Sequence, residues 1–158
     1  MKKNQACQIS MLILISMFAG LLFSNAAGAA SSKEWTARIV SVQGDVQAQK
    51  KGETQWKSVN LDDTFHIGDM IKVEKRSRAS ILISNETLIR LNQNTTITFS
   101  GEKKKLSWMD VAKGSVYFIS RIPWTLKVTT PFVDGTVEGT EFLVVVGVDQ
   151  TTLTVFEG

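Results

Sequence analysis

Apolar and polar side chains alternate over short segments through much of the chain. The alternation is clear at Arg38–Val42, Ala79–Ser84, Ile89–Leu91 and Thr96–Phe99, where it is typical of strands with one face on a core. Asn, Gly and Asp residues that favour turns separate the middle segments at about eight-residue spacing. Later candidate strands are 115–119, 126–130, 142–148 and 152–156. No window has the spacing of an amphipathic helix, so the pattern predicts an all-β fold.

The composition of residues 31–158 supports strands in the same region. They contain 15 Val, 15 Thr and 9 Ile, so about 30% of the side chains are branched at Cβ and prefer a pleated sheet. The spacing predicts a single domain of short stacked strands, either a β-solenoid or roll or a small β-sandwich, and does not choose between them. The segment 142–146 is apolar at every position, which predicts a strand covered on both faces.

The first 29 residues have the three-part layout of a secretory signal. Lys2 and Lys3 are followed by a 15-residue apolar stretch, Ile9–Phe23, which is short for a membrane-spanning helix. Small residues at Ala27 and Ala29 predict cleavage after Ala29. The alternative is that the segment is not cleaved and anchors the protein in a membrane. We expect no other contact with a membrane. The segment therefore predicts a signal helix and a periplasmic or secreted protein.

Removal of that segment changes what the charge and the cysteine imply. The whole chain carries a formal charge of +3, but residues 31–158 hold 16 basic and 15 acidic residues, a net charge of +1. A nearly neutral body argues against nucleic acid as a partner. Cys7 is the only cysteine, so the exported form would have no disulfide. We expect 1–29 to be the signal, 30–37 a short leader and 38–158 one β domain.

A series of motifs follows the signal segment in a recognisable order. The more specific part is V-T-T-P at Val128–Pro131, followed by V-E-G-T-E-F at Val137–Phe142. Gly-Asp turns at Gly44-Asp45 and Gly68-Asp69 come earlier in the chain. Together these motifs resemble the FecR domain, the extracytoplasmic module of bacterial iron-transport regulators, over about residues 38–158. The same module also occurs in exported proteins that carry no regulator part.

The resemblance implies a non-catalytic binding or signal-relay role in the cell envelope, with a link to the regulation of transport. In the regulators, a cytoplasmic segment that binds a sigma factor precedes the membrane helix, whereas only eight residues precede the apolar stretch here. The sequence also stops at Glu157-Gly158, where family members usually continue, so the domain could be truncated at its C-terminus. An exported, stand-alone FecR-like protein is the closer match.

The motif residues themselves suit architecture rather than catalysis. A glycine before Asp suits a turn with positive φ, Pro131 suits the end of a strand, and Phe142 restarts an apolar face. We therefore expect structural roles for Gly44, Gly68, Asp69, Thr130, Pro131, Gly139, Thr140 and Phe142.

The titratable residues do not form a pattern typical of a catalytic or metal site. His66 is the only histidine, which excludes a two-histidine metal site. Glu138 and Glu141 are three residues apart and would lie on opposite faces of a continuous strand, which argues against an acid–base pair. Asp62-Asp63 and Asp69 lack the spacing of a calcium-binding loop. We expect no enzyme activity, no metal and no cofactor.

Aromatic side chains are the candidate ligand contacts. Trp56, Trp124 and Tyr117 could stack on a sugar ring or on a partner's side chain, because Trp and Tyr combine a large apolar area with a polar atom. For each one alone, packing in the core is the simpler explanation. The alternative function is thus a module that binds cell wall or polysaccharide. The expected partner is an envelope protein or a glycan.

Two basic clusters could meet an anionic glycan or a lipid headgroup. Lys103–Lys105 has the setting of a hairpin tip. The second cluster is Lys72, Lys75, Arg76 and Arg78. The alternative for both is that they are solvated turns or protect a sheet edge.

Overall fold

The computed structural model describes residues 36–83, 87–102 and 105–157, and every regular element in them is a β-strand. The strands are β1 (Ala37–Gln43), β2 (Val46–Gln49), β3 (Lys57–Ser58), β4 (Thr64–Phe65), β5 (Met70–Val73), β6 (Arg78–Ile83), β7 (Thr87–Leu91), β8 (Thr95–Glu102), β9 (Lys105–Thr129), β10 (Asp134–Val146) and β11 (Thr151–Glu157). The predicted all-β fold is confirmed. The predicted signal helix lies outside the described residues, and in the ranges above no helix has the length and apolar character that crossing a membrane requires.

The strands described here pair antiparallel and join into one sheet. The order of hydrogen-bonded neighbours is β3-β2-β5-β8-β9-β7-β6-β1-β4, and β10 pairs with both β9 and β11. β1 and β2 follow one another in the chain yet lie near opposite ends of this order, so the sheet curls and brings its ends together. Phe65 of β4 accordingly stacks on Phe99 of β8 with 6.2 Å between ring centroids. Gly68 N donates to Phe99 O at 2.7 Å in the same region.

The predicted short strands are present, but they are not stacked as the turns of a solenoid. β6 and β7 form an antiparallel hairpin in which Ile81 lies opposite Ile89. β8 then pairs with β5 and β9 rather than with β7. A parallel β-helix would place successive rungs in parallel, whereas each pair in the described ranges is antiparallel. One continuous curled sheet also differs from a sandwich of two sheets, so the roll-like form of the prediction is the one that fits.

β9 is a single strand of 25 residues, where the sequence predicted separate strands at 115–119 and 126–130. Its first part pairs with β8. Residues 116–119 pair with β7 on one edge and with β10 on the other, and residues 124–129 pair with β10. The two predicted strands are therefore parts of one strand, because β10 pairs with both of them.

Gly114 lies where β9 passes from β8 to β7. Its φ is +95°, and a Cβ added there would lie 2.3 Å from Thr95 Oγ1 and 2.8 Å from Asn94 O. Ser115 N donates to Thr95 Oγ1 at 3.0 Å, and Asn92 N donates to Ser115 O at 3.0 Å. This close approach, together with the positive φ, requires glycine.

The core lies on the inner face of the curled sheet and is built from alternate residues of the strands. In β6, for example, Ala79, Ile81 and Ile83 are buried. Phe118 of β9 and Phe142 of β10 stack with their centroids 4.4 Å apart. The largest fully buried side chains are Phe65, Phe99, Phe118, Phe142, Ile39, Ile71, Ile81, Ile83, Ile89, Leu91, Ile97 and Met109.

The prediction that 142–146 is covered on both faces is wrong. Phe142, Val144 and Val146 are buried in the core. Leu143 is only half-buried and Val145 is 36% exposed. The alternation shows that β10 has one face on the core and one face toward solvent, even though both faces are apolar.

β11 is an edge strand that pairs only with β10 among the described strands. Leu153 and Val155 lie opposite Val144 and Phe142, and hence on the core side of the sheet. They are nevertheless 45% and 49% exposed. The core layer therefore ends at β10.

Candidate functional site

Two rows of outward-facing side chains cross the outer face of β6, β7, β9 and β10. In the first row, Arg90 of β7 lies between Ser80 of β6 and Tyr117 of β9, and Tyr117 lies opposite Leu143 of β10. The second row contains Arg78 of β6, and Ser115 of β9 opposite Val145 of β10. Side chains two residues apart on a strand share a face, so the pairing fixes which groups are neighbours.

These rows line a hollow of about 360 Å³, which we call the arginine groove. Its lining combines two guanidinium groups, a phenol and small polar side chains with an apolar side chain of β10. The lining residues are Arg78, Ala79, Ser80, Arg90, Leu91, Asn92, Ser115, Tyr117 and Leu143.

A second, more polar hollow of about 310 Å³ shares Arg78 and Asn92 with the arginine groove. Arg76 lines it from the turn before β6, where its φ is +58° and its backbone N donates to Gln93 Oε1 at 2.8 Å. Ser77 also lines it and is buried, accepting a hydrogen bond from Asp45 N at 2.8 Å. Because they share these residues, the two hollows form one basic surface.

Positive charge dominates that surface. Arg76, Arg78 and Arg90 line it, no acidic residue does, and within the described residues none of the three has an ion-pair partner. Arg38 is different, because its guanidinium lies 2.5 Å from Asp62. Among the residues that the structure describes, no carboxylate therefore pairs with the three groove arginines.

Tyr117 is fixed in the groove by contacts at both ends of its side chain. Its hydroxyl donates to Glu141 of β10. Its ring meets the ring of Phe156 edge-on, with 5.9 Å between centroids and an interplanar angle of 81°. The phenol is thus a pre-positioned wall of the groove, half-buried and next to Arg90.

Trp56 does not join Tyr117 in the groove. Trp56 is half-buried, outside the groove lining, and the ammonium of Lys72 lies 4.9 Å from its ring centroid. Lys72 also pairs with Glu74 at 2.8 Å, so it is not part of the basic surface that the sequence grouped it with. The side chain of Trp124 lies outside the described residues, as does the Lys103–Lys105 side-chain cluster. Of the two predicted ligand contacts whose side chains the structure describes, Tyr117 lines the groove and Trp56 does not.

Asp69 connects two turns through a buried carboxylate. Its side chain accepts hydrogen bonds from Lys51 N at 2.9 Å, from His66 N at 3.1 Å and from Lys50 Nζ at 2.9 Å. Burial raises the pKa of the Asp69 carboxyl, but these hydrogen bonds and the Lys50 charge outweigh it and hold the pKa below its ordinary value. The ionised form therefore stabilises this junction of turns.

We expect the variant Asp69→Asn to lower the free energy of unfolding at neutral pH by about 1.5–3 kcal/mol, because the amide loses the charge-assisted bonds. A depressed folded-state pKa means that the Asp69 contribution is complete above the unfolded pKa of about 4 and is lost as pH falls through the folded value. The difference between wild type and variant should thus shrink in acid. Denaturant unfolding at a series of pH values measures it.

The control for this prediction is Asp134→Asn, which removes an exposed carboxylate 3.4 Å from Lys127. An exposed pair contributes about 1 kcal/mol or less, so this variant should change little at any pH. Equal effects of the two variants, or a difference for Asp69→Asn that persists in strong acid, would contradict the assignment.

The other motif residues make contacts typical of turns and strand ends. Gly44 has a φ of +78°, and a Cβ there would lie 2.4 Å from Ser77 Oγ. Thr130, at the end of β9, accepts a hydrogen bond from Val133 N at 3.1 Å across the turn that contains Pro131. Gly139 is buried opposite Trp124.

The remaining motif positions lie near the end of the described chain or next to Asp69. Thr140 Oγ1 donates to Glu157 Oε2 at 3.1 Å, and Gly68 has a φ of +97° in the turn before β5. Phe142 packs on Phe118 in the core.

The groups considered for catalysis or metal binding have different contacts. Glu138 is exposed, whereas Glu141 is held by Tyr117. Asp63 accepts a hydrogen bond from Asn60 N at 2.8 Å. Across the described ranges, no cluster of three or more His, Cys, Asp or Glu side chains has the arrangement of a metal site.

Arg90 and Gly114 were not identified from the sequence. In the sequence, Arg90 is the polar residue between Ile89 and Leu91. This alternation indicates that its side chain faces outward, but it does not indicate which residues of other strands lie beside it. Strand pairing places it beside Tyr117. Gly114 lies inside a long strand, where an isolated glycine is a signal for a close backbone approach.

A comparison with protein-family models gives one match that covers most of this surface. The model described as FecR protein matches residues 69–158. The matched range begins at the Asp69 turn and includes Arg78, Arg90 and Tyr117. It confirms the resemblance and covers more than half of the 158 residues. No match was found among curated proteins or among solved structures.

Proposed function

Because this chain belongs to the FecR family, a family of signalling and regulatory domains, we propose that it is a non-catalytic binding and signal-relay module of the bacterial cell envelope. Its role would be to bind a partner outside the cytoplasm and to influence the regulation of transport. FecR domains typically lie in the extracytoplasmic region of membrane proteins. The export signal expected at 1–29 supports the same location.

The observation that carries this proposal is the arginine groove on the outer face of the sheet. A binding module needs an accessible surface whose polar groups are not already engaged, and the groove offers Arg78 and Arg90, neither of which pairs with a carboxylate in the described part of the chain. Tyr117 adds a fixed aromatic wall. Aromatic and arginine side chains together are typical of the residues that contribute most to binding at protein interfaces.

Complementation of a deletion strain tests the proposal. We expect deletion of the gene in its source bacterium to change the transcript levels of a limited set of genes, among them transport genes, and the wild-type gene to restore them. A form without residues 1–29 should fail to restore them because it stays in the cytoplasm. The variant Tyr117→Ala should restore less than about one tenth of the response if the groove is the binding site.

The matched control is Trp56→Ala, which removes a half-buried aromatic side chain outside the groove. It should restore the transcripts as the wild type does. Circular dichroism and thermal unfolding of both purified variants would establish that each is folded. Unchanged transcripts after deletion, or full restoration by the form without residues 1–29, would rule out the proposed function.

A further inference from the structure

We propose that the arginine groove binds an acidic, extended peptide segment of a partner protein, with two of its carboxylates on Arg78 and Arg90. This inference rests on the proposed function for the idea that the partner is a protein. The chemistry of the ligand is argued from the groove alone. The proposed function by itself does not require the ligand to be acidic or extended.

The spacing of the two arginines is the first argument. Arg90 lies directly opposite Ser80, and Arg78 is two residues before Ser80 on the same face. Arg78 and Arg90 are therefore diagonal neighbours on one face of the sheet, about 7–8 Å apart. Alternate residues of an extended peptide are about 6.6 Å apart and point the same way. Two acidic residues separated by one residue would thus reach both guanidinium groups.

The uncompensated charge is the second argument. Two guanidinium groups on neighbouring side chains repel each other, and Arg76 adds a third positive charge on the same surface. Lys50 and Lys72 each have a carboxylate at 2.8–2.9 Å, so the fold does supply partners to basic side chains elsewhere. A carboxylate from outside would relieve the repulsion, and the planar arginine fork matches a carboxylate with two parallel hydrogen bonds.

The apolar side chains beside the arginines are the third argument, and they favour a peptide over a sugar acid or a free anion. Leu143 lines the groove next to Tyr117, and Val145 is exposed in the neighbouring row. Apolar side chains of a bound segment could pack there while its acidic side chains face the arginines. A small inorganic anion would leave this part of the surface uncovered.

Binding of a defined acidic peptide to the purified full chain tests the proposal. The probe is fluorescein-labelled hexaglutamate, with fluorescein-labelled hexaglutamine as its neutral match, and the readout is fluorescence anisotropy. We expect hexaglutamate to bind and hexaglutamine not to. Arg78→Gln and Arg90→Gln should each weaken binding about tenfold, the loss expected when one charge-assisted pair is removed.

The matched control variant is Arg38→Gln. It removes the same charge from another exposed arginine, one that already pairs with Asp62. Its affinity for hexaglutamate should stay within about twofold of wild type, because remote charges are screened at physiological salt. If all three variants lose the same affinity, hexaglutamate is attracted only by the net charge of the protein, and the proposed site is wrong.

Two competitors decide the class of ligand. Tri-galacturonic acid and inorganic phosphate should displace hexaglutamate only at much higher concentration of anionic groups. If either competitor displaces hexaglutamate at an equal concentration of anionic groups, the ligand of the groove is an anionic glycan or a phosphate and not an acidic peptide. Absence of hexaglutamate binding would overturn the inference outright.

Different experiments test the signalling role and the acidic-peptide site. If Tyr117→Ala loses the transcript response but hexaglutamate does not bind, the signalling role stands and the ligand class is wrong. If hexaglutamate binds as described but deletion leaves transcripts unchanged, the acidic-peptide site stands and the signalling role is wrong.

Discussion

Replacing Phe142 with alanine is expected to lower the free energy of unfolding by about 3–5 kcal/mol, the range for removal of a buried phenylalanine. The side chain is 1% exposed and stacks on Phe118 at 4.4 Å between centroids. Its loss would leave a cavity between β9 and β10 and remove a favourable pair of rings. Denaturant unfolding followed by tryptophan fluorescence measures the change.

The matched control is Phe132→Ala, because Phe132 is 46% exposed in the turn between β9 and β10. Removal of a half-exposed ring leaves no enclosed cavity, so we expect a change of about 1 kcal/mol or less. Comparable losses at the two positions would show that β10 does not pack as described.

The variant Gly114→Ala is expected to be the most damaging single methyl addition in the sheet. A positive φ costs a residue with Cβ about 1–3 kcal/mol. The added Cβ would also lie 2.5 Å from Thr95 Cα and 2.8 Å from Asn94 O, which are backbone atoms that cannot rotate away. We therefore expect a loss above about 3 kcal/mol, measured by thermal or denaturant unfolding.

Gly52→Ala separates the two causes of that loss. Gly52 has a φ of +81°, but a Cβ there would have no neighbour within 4 Å. The control variant should thus cost only the conformational part, about 1 kcal/mol. If the two alanine variants lose the same stability, the close approach of β8 and β9 is not what requires Gly114.

The positions of the longer strands could be predicted from the sequence, but the short strands β2 to β5 and the pairing could not. Alternation in β6 and β7 placed Ile81 and Ile89 on a core face because the period of a strand is two residues. Alternation does not specify partners, which is why the 25-residue β9 was interpreted as separate strands. The apolar segment 142–146 was misjudged for a related reason: composition indicates what could be buried, not whether a second layer exists to bury it.

The candidate site was predictable only in part, for the same physical reason. Tyr117 and Arg78 were identified as candidates by residue type, yet nothing in the sequence placed them on one face of the sheet. Lys72 was grouped with Arg78 because they are close in the chain, but Lys72 lies on β5 and pairs with Glu74. Arg90 joined the site through its register with Tyr117, and register depends on contacts between distant residues.

The two-sided pairing of β9 has a consequence for how the molecule opens. Val116–Ile119 hydrogen-bond to β7 on one side and to β10 on the other, so these residues connect the two halves of the strand order. Displacement of β9 itself would break its ladders with β8, β7 and β10, whereas β3, β4 and β11 can fray from one side. We therefore expect the backbone amides in the middle of β9, where Tyr117 lies, to exchange with solvent more slowly than those of the edge strands.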